Sequence, residues 1–513
     1  MTLHLSIVLF LPLAFAVLGL LAPPRFAGWI ALAGTALVLG YAVTFIADFD
    51  ASADGLQYVT DDAWIRELGI SYKLGLDGLN LFLVALTGIL FFFCTLWATF
   101  REWDKPRLFY FHFLLAETAV LGALMAQDLA LFVVFFDLML VPFFFLTGQW
   151  GEGRRVQATM KLVIYTLVGS LLMLTAAIAT GVLAASGPAE LSFAFSDLAQ
   201  RPLAESSQNW IFLFFAAAFL VKMPAFPLHG WMPDGYRSMP LPVLAVFSGV
   251  LSKVAAYGFL KVCLPLFPDA SQNFQMLLLL IALASILYGS AMAFTTTETR
   301  LILGYSSVAQ LGFITLGIFA LNDQGAQGAI LQAFNHGLVV APAFFIVALL
   351  AARAGGSQDI RDMGGIGMRA PVLATMFLIV TFATLAMPGS SNFVGEFYIL
   401  LGVFTEKIVI AIVASTGVVL AAVYALRLFI TSVHNRTGPR VESREISLRE
   451  GLVLVPLVLL VLAIALYPQF ALERSERTVT SLSAPLPPNT FGHATPEIGP
   501  GGTPYAPLEE ESP

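Results

Sequence analysis

Apolar residues along this chain come in blocks of about twenty, separated by short polar punctuation, and the rhythm holds from residue 3 to residue 469. Crossing the hydrocarbon core of a bilayer takes about 20 predominantly apolar residues in a helix. On that ruler the pattern predicts about fourteen transmembrane helices, near 3–22, 27–47, 78–100, 108–126, 129–149, 158–185, 209–231, 241–263, 272–294, 299–320, 326–352, 371–403 (interrupted), 406–432 and 450–469. The first block has no basic leader and no small-residue cleavage site, so it reads as a retained span. After Pro468 the chain turns polar and rich in Pro, Gly and Glu, which predicts a disordered tail over 471–513.

Charges interrupt this pattern where they are least tolerated. Lys222 and Lys253 sit inside apolar runs, as do Asp137, Glu396 and Glu117. A charge at bilayer depth costs about 2.5–3.5 kcal/mol on insertion scales, so it faces the protein interior or a watered path. Several such charges of both signs point to a protein that moves ions. Two runs also carry helix breakers beside the charge, VKMPAFP (221–227) and AMPGSSNFVGEF (386–397). Proline removes one backbone N–H and displaces the carbonyl four residues earlier.

The intramembrane polar positions repeat. Lys222 and Glu396 are 174 residues apart, as are Lys253 and Arg427, while Lys161 to His336 is 175 and Asp137 to Gln310 is 173. The expected fold is therefore an all-α polytopic bundle with two five-helix repeats and two Pro-broken helices. An odd number of helices per unit inverts the second relative to the first, an arrangement many transporters use. The expected division is 1–107 for the first three helices, 108–263 and 264–432 for the repeats, 433–470 for the last span, and then the tail.

Composition agrees: 58% of residues are hydrophobic and 12% charged, against about 25% charged in a soluble domain. Alternate loops carry fifteen basic residues and the other set, with the tail, carries seven. The richer side is expected to be cytoplasmic, which places both termini and the acidic stretch 48–77 outside. The net charge of −7 is segregated by loop and forms no nucleic-acid patch. Cys94 and Cys263 lie far apart with no CxxC spacing, so no metal or iron–sulfur site is expected in this chain.

A lysine held between desolvation and a nearby carboxylate can release and regain a proton near neutral pH. Lys222 with Asp137 is the obvious pair; the bland alternative is a static ion pair that fixes helix packing. Glu117 belongs to the same relay or makes a packing hydrogen bond. Lys161 is close enough to the end of its span to reach the headgroups. His336 is a switchable carrier or a satisfied structural histidine. Arg427 keeps its proton, so its role is electrostatic. Gln310, with Tyr305, Ser306 and Ser307, can hold a water chain. No dinucleotide fingerprint, P-loop or zinc-ligand spacing occurs.

At these residues the sequence resembles the antiporter-like membrane subunits of respiratory complex I, NADH-quinone oxidoreductase, and among them the subunit M (chain 4) branch. The resemblance rests on DLALFVVFFDLMLVPFFFL (128–146), KMPAFPLHGWMPD (222–234), LSKVAAYGFLK (251–261), LILGYSSVAQLGF (301–313), NHG (335–337) and PGSSNFVGEF (388–397). Sibling chains usually have lysine in the second broken helix, where this chain has Glu396. The resemblance implies a multi-pass subunit of the bacterial inner membrane that translocates protons. The implied path runs through Asp137, Lys222, Lys253, His336 and Glu396. It also implies no cofactor in this chain, with NADH, FMN, iron–sulfur clusters and quinone in partner subunits, and the antiporter-like L and N chains as membrane partners. The family usually has glutamate at Asp137, histidine at Gln310, and other residues in WMPDGYRSMP and SSN. An Mrp-type cation/proton antiporter chain, a hydrogenase-type complex subunit and a purely structural membrane spacer stay open as alternatives.

Overall fold

Helices follow the apolar blocks. The computed structural model describes residues 4–53, 55–187, 190–438 and 440–483. In chain order the helices are α1 Leu5–Leu21, α2 Ala27–Asp48, α3 Leu81–Thr99, α4 Pro106–Met125, α5 Leu129–Trp150, α6 Arg155–Ala184, α7 Glu205–Lys222, α8 Met232–Ser238 and α9 Leu241–Leu266. They continue as α10 Gln275–Thr295, α11 Thr299–Ile318, α12 Asp323–Arg353, α13 Pro371–Thr384, α14 Ser391–Glu406, α15 Ile408–Val433, α16 Leu448–Leu466 and α17 Gln469–Ser483. Eleven described helices are long and apolar enough to cross a membrane, and α1 and α13 are apolar but shorter. The expected span at 209–231 is split: α7 stops at Lys222, and α8 starts only at Met232.

Burial sorts the helices. α9, α11 and α12 are buried along almost all of their length, whereas fewer than half of the residues in the central windows of α2, α6, α15 and α16 are buried. The polar centre therefore belongs to α9, α11 and α12. Small residues let the helices approach closely. A Cβ on Gly328 of α12 would lie 2.6 Å from the Ile399 nitrogen of α14, and one on Gly402 of α14 would lie 2.5 Å from the Gly325 nitrogen. This contact sets where Glu396 on α14 stands against α12.

Outside the bundle, β1 (Gln57–Ile65) and β2 (Ile70–Leu76) form an antiparallel hairpin, with Asp61 paired to Lys73 at 3.0 Å. The acidic stretch 48–77 is thus largely strand, which its composition does not show. The hairpin ties into the bundle through Asp128, whose carboxylate caps α5 and accepts the Ser71 N–H at 3.0 Å.

The polar tail needs correction. Expected to be disordered from 471, it is helical to Ser483 as α17, and only 484–513 lie outside the described residues. The reason is periodicity. Ala471, Leu472, Ser475 and Val479 are buried, a helical stripe that a reading of composition alone misses. Gln327 of α12 donates to the Leu472 carbonyl at 2.8 Å and to Ser475 at 2.9 Å. The Thr478 hydroxyl takes the Gly78 N–H at 3.0 Å.

The glycine contact predicts that Gly328→Leu forces α12 and α14 apart and destabilises the protein by about 1–3 kcal/mol. A lower thermal midpoint of the detergent-solubilised protein would register it. Gly40→Leu is the control and should leave the midpoint unchanged, because a Cβ there meets nothing within 4 Å.

Candidate functional site: a buried polar line across the bundle

The line starts in α4 and α5. Glu117 is fully buried, and neither carboxyl oxygen has a hydrogen-bond partner among the described residues. α5 is interrupted at Met139, three residues before Pro142, which has no N–H to offer the carbonyl of Leu138. Just before this interruption the Phe136 carbonyl accepts from Lys222 Nζ at 2.8 Å, and the ammonium sits 3.8 Å from the centre of the Phe136 ring. Lys222 makes no ion pair with Asp137 at salt-bridge distance, yet the two are close enough to feel each other's charge. Ser170 of α6 lies beside Asp137, whose Oδ1 is unpartnered. The expected pair is thus nearby but open, with Phe136 holding the lysine.

Pro224 ends α7, and the freed groups are recaptured. The Leu220 carbonyl accepts the Ala225 N–H at 3.0 Å, the Val221 carbonyl accepts Trp231 Nε1 at 3.0 Å, and the Phe226 N–H donates to Ser285 Oγ at 2.9 Å. Lys222 is therefore the last residue of a helix whose end is closed by protein groups.

Lys253 lies in the centre of α9, fully buried. A π-helical turn at Phe247–Leu251 precedes it, and such turns often sit at functional sites. Its Nζ donates to the Ser248 carbonyl at 2.6 Å and to Ser252 Oγ at 3.3 Å. Ser248 Oγ in turn lies 3.4 Å from Ser307 Oγ of α11. His336 of α12 is near enough to sense the Lys253 charge, and its Nδ1 is unpartnered.

The far end is a three-residue cluster. Gln310 Nε2 of α11 donates to Glu396 Oε1 at 2.7 Å, Gln332 Nε2 of α12 donates to Gln310 Oε1 at 2.7 Å, and Gln332 also reaches Glu396 Oε1 at 3.4 Å. Glu396 Oε2 and Gln332 Oε1 are left without partners. The break before α14 runs through Leu385–Ser390, with Ala386 at φ 52° and Gly389 at φ 89°. Asn335 donates to the Ser391 carbonyl at 2.6 Å, and buried Asn392 has neither side-chain atom paired.

Some sequence candidates lie elsewhere. Arg427 caps the C-terminus of α10 through the Phe294 and Thr296 carbonyls at 2.5 and 2.9 Å. Lys161 pairs with Asp234 of α8. Gln332, Ser170, Asn335 and Asn392 escaped the reading of single charges. Gln332 is one turn before His336 on the same face of α12, so the face of a known candidate was the available signal. No group of three or more His, Cys, Asp or Glu able to hold a metal occurs among the described residues, and Cys94 and Cys263 are buried and unpaired.

Residues 126–421 match the family described as NADH:quinone oxidoreductase/Mrp antiporter, TM. This chain belongs to that family. It is 35% identical over 488 residues to NADH-quinone oxidoreductase subunit M of Rhodobacter capsulatus, covering 91% of this chain and 94% of that one. The corresponding Mycobacterium tuberculosis subunit M is 34% identical over 549 residues, covering 98% and 99%. Among solved structures, a chain of respiratory complex I from Thermus thermophilus with bound NADH superposes with a TM-score of 0.85 at 29% identity, over 94% of this chain and 100% of that one. The Mrp complex from Dietzia sp. shares the fold, with a TM-score of 0.82 at 22% identity over 94% and 98%.

The cluster predicts that Gln332→Leu leaves the Gln310 carbonyl oxygen unpartnered at a cost of about 1–3 kcal/mol. The thermal midpoint should drop, and the carboxyl stretch of Glu396 should shift in infrared difference spectra. An unchanged spectrum would mean that Gln332 does not act on that carboxyl group.

Proposed function

We propose that this chain is the membrane subunit through which an NADH:quinone oxidoreductase translocates protons, moving them along the buried line from Asp137 and Lys222, with Glu117 beside them, through Lys253 and His336 to Glu396. It is a multi-pass protein of the bacterial inner membrane and part of a multi-subunit membrane complex. One observation carries the reading of the site. Buried polar atoms without protein partners lie along this line, at Glu117, Asp137, His336, Asn335, Asn392 and Glu396. Each is costly in hydrocarbon unless water or a moving proton satisfies it. A purely structural packing device would close such groups.

Lys222 alternates between the Phe136 carbonyl that anchors it and the Asp137 carboxylate nearby. Lys253, seated on the π turn, receives from one half and passes to His336. Glu396 hands the proton on from the second broken helix. Charge moves in steps because each lysine's occupancy changes the field at its neighbour. The chain divides into two inverted five-helix units, 108–263 and 264–432, each with one broken helix at the charge. NADH, FMN, iron–sulfur clusters and quinone belong to partner subunits, and the antiporter-like L and N chains are the membrane neighbours. An Mrp-type antiporter chain shares the fold, but the 35% and 34% identical relatives carry the subunit M name.

Lys222→Ala should lower NADH-driven proton pumping in membrane vesicles by at least about tenfold, at the scale of losing one proton-transfer group, with the complex still assembled. Normal pumping by assembled variant complex refutes the proposal. Glu396→Gln, which keeps the hydrogen bond to Gln310 but cannot carry a proton, should impair pumping as well. A silent Glu396→Gln would make Glu396 a packing residue.

A further inference from the structure

Two loops rich in basic residues meet at one end of the bundle, 354–370 before α13 and 434–447 after α15. Between them opens a groove of about 830 Å³. At its polar end Arg369 and Arg436 supply two positive charges, and His434 stands with them. At its other end it runs onto the sides of the two helices, against Ala374, Leu378 and Phe429. None of the residues that line it carries a carboxylate.

The backbone fixes these walls. The Gly367 N–H donates to the Val433 carbonyl at 3.1 Å. Gly364, at φ 121°, lies so close to the second loop that a Cβ would stand 2.4 Å from the Arg436 carbonyl oxygen. A Cβ on Gly365, at φ 70°, would stand 2.2 Å from Thr437 Oγ1. Only glycine suits such positions, so the loop that carries Arg369 is locked onto the segment that carries Arg436. Three acids of the same loops are spent elsewhere. Asp359 pairs with Arg361 at 2.6 Å, and Asp362 accepts from Ser357 at 2.6 Å. Glu445 accepts the Val372 and Leu373 N–H groups at the start of α13, at 2.7 and 3.1 Å. Arg369 and Arg436 form no ion pair and no side-chain hydrogen bond among the described residues. Beside them Met368 is 98% exposed.

We propose that this groove binds one anionic phospholipid of the adjoining leaflet, its phosphate on Arg369 and Arg436 and an acyl chain along Ala374, Leu378 and Phe429. Unpaired cations above an apolar trough match a molecule that is anionic at one end and hydrocarbon at the other. A soluble anion would leave the trough bare. A protein neighbour would have to bring an acid and an apolar stretch to the same boundary. Guanidinium groups suit phosphate because their planar N–H forks hold two of its oxygens at once. One basic residue near an anionic headgroup is worth about fivefold in affinity, so two favour an anionic over a zwitterionic lipid by about thirtyfold. Bound there, the lipid ties α15 to α13, the half-helix that leads into the second break. The inference stands apart from the proton-translocating reading, since it needs only a chain set in a bilayer.

The test uses the whole complex, stripped of lipid in detergent and given phosphatidylglycerol with a photoreactive group on its acyl chain. Peptide mapping after irradiation should place label on α13 and on the last turns of α15. Unlabelled phosphatidylglycerol should compete about thirtyfold better than phosphatidylcholine, and inorganic phosphate at the same concentration should not compete. Arg369→Gln combined with Arg436→Gln should abolish that preference at these two helices and leave labelling elsewhere on the complex unchanged. Equal competition by the two lipids overturns the proposal, as does displacement by inorganic phosphate, which would make this a simple anion site. Absence of label from both helices also overturns it, the result expected if a neighbouring subunit covers the groove. Should the double variant fail to assemble, competition in the unaltered complex decides alone.

Discussion

Hydrocarbon offers no hydrogen bonds, and that constraint organises this protein more than any single contact. Each backbone group released by a helix break must be taken up by protein or water. At the first break it is protein: Ala225, Trp231 and Ser285 close the end of α7 almost completely. The interruption therefore does not flood the bundle, and it leaves Lys222 as a helix-terminal cation held by a carbonyl and a ring face. That carbonyl belongs to α5, just before the interruption at Met139.

The same constraint separates two kinds of polar group. Arg353 at the end of α12 is closed on every side, by the Arg444 and Glu445 carbonyls at 2.7 and 3.1 Å and by Glu450 at 3.2 Å. Asp128 is likewise spent on capping and on the hairpin. These groups hold the fold. Glu117, Asp137, His336 and Glu396 keep atoms unpartnered deep in the bundle. Buried polar networks that are only partly satisfied are expensive. Glycine contacts between α12 and α14 keep that row in register, since a helix spacing wider by a side chain would part Glu396 from Gln310 and Gln332.

Much of this was legible in the sequence. Apolar block length determined the helices, because a bilayer of given thickness demands a given run of residues. The candidates Asp137, Lys222, Lys253, His336 and Glu396 stood out by charge against an apolar background, and Pro224 and Pro388 marked both breaks. What stayed hidden had a weaker local signature. The hairpin 57–76 and helix α17 lie in polar stretches where amphipathic alternation, not composition, carries the information. Gln332, Asn335 and Asn392 are uncharged, so nothing in their own segments sets them apart from packing residues.

The sequence by itself determined which residues are out of place in lipid and where helices must break, since both follow from the solvent the chain lives in. Only the tertiary structure decided which of those residues meet. It set Lys222 on Phe136 and not on Asp137, bound Gln310 to Glu396 across 86 positions, and sent Arg427 to cap α10. Partner choice depends on helix rotation and spacing, which are set by side-chain packing between segments far apart in the chain, and no local pattern encodes them.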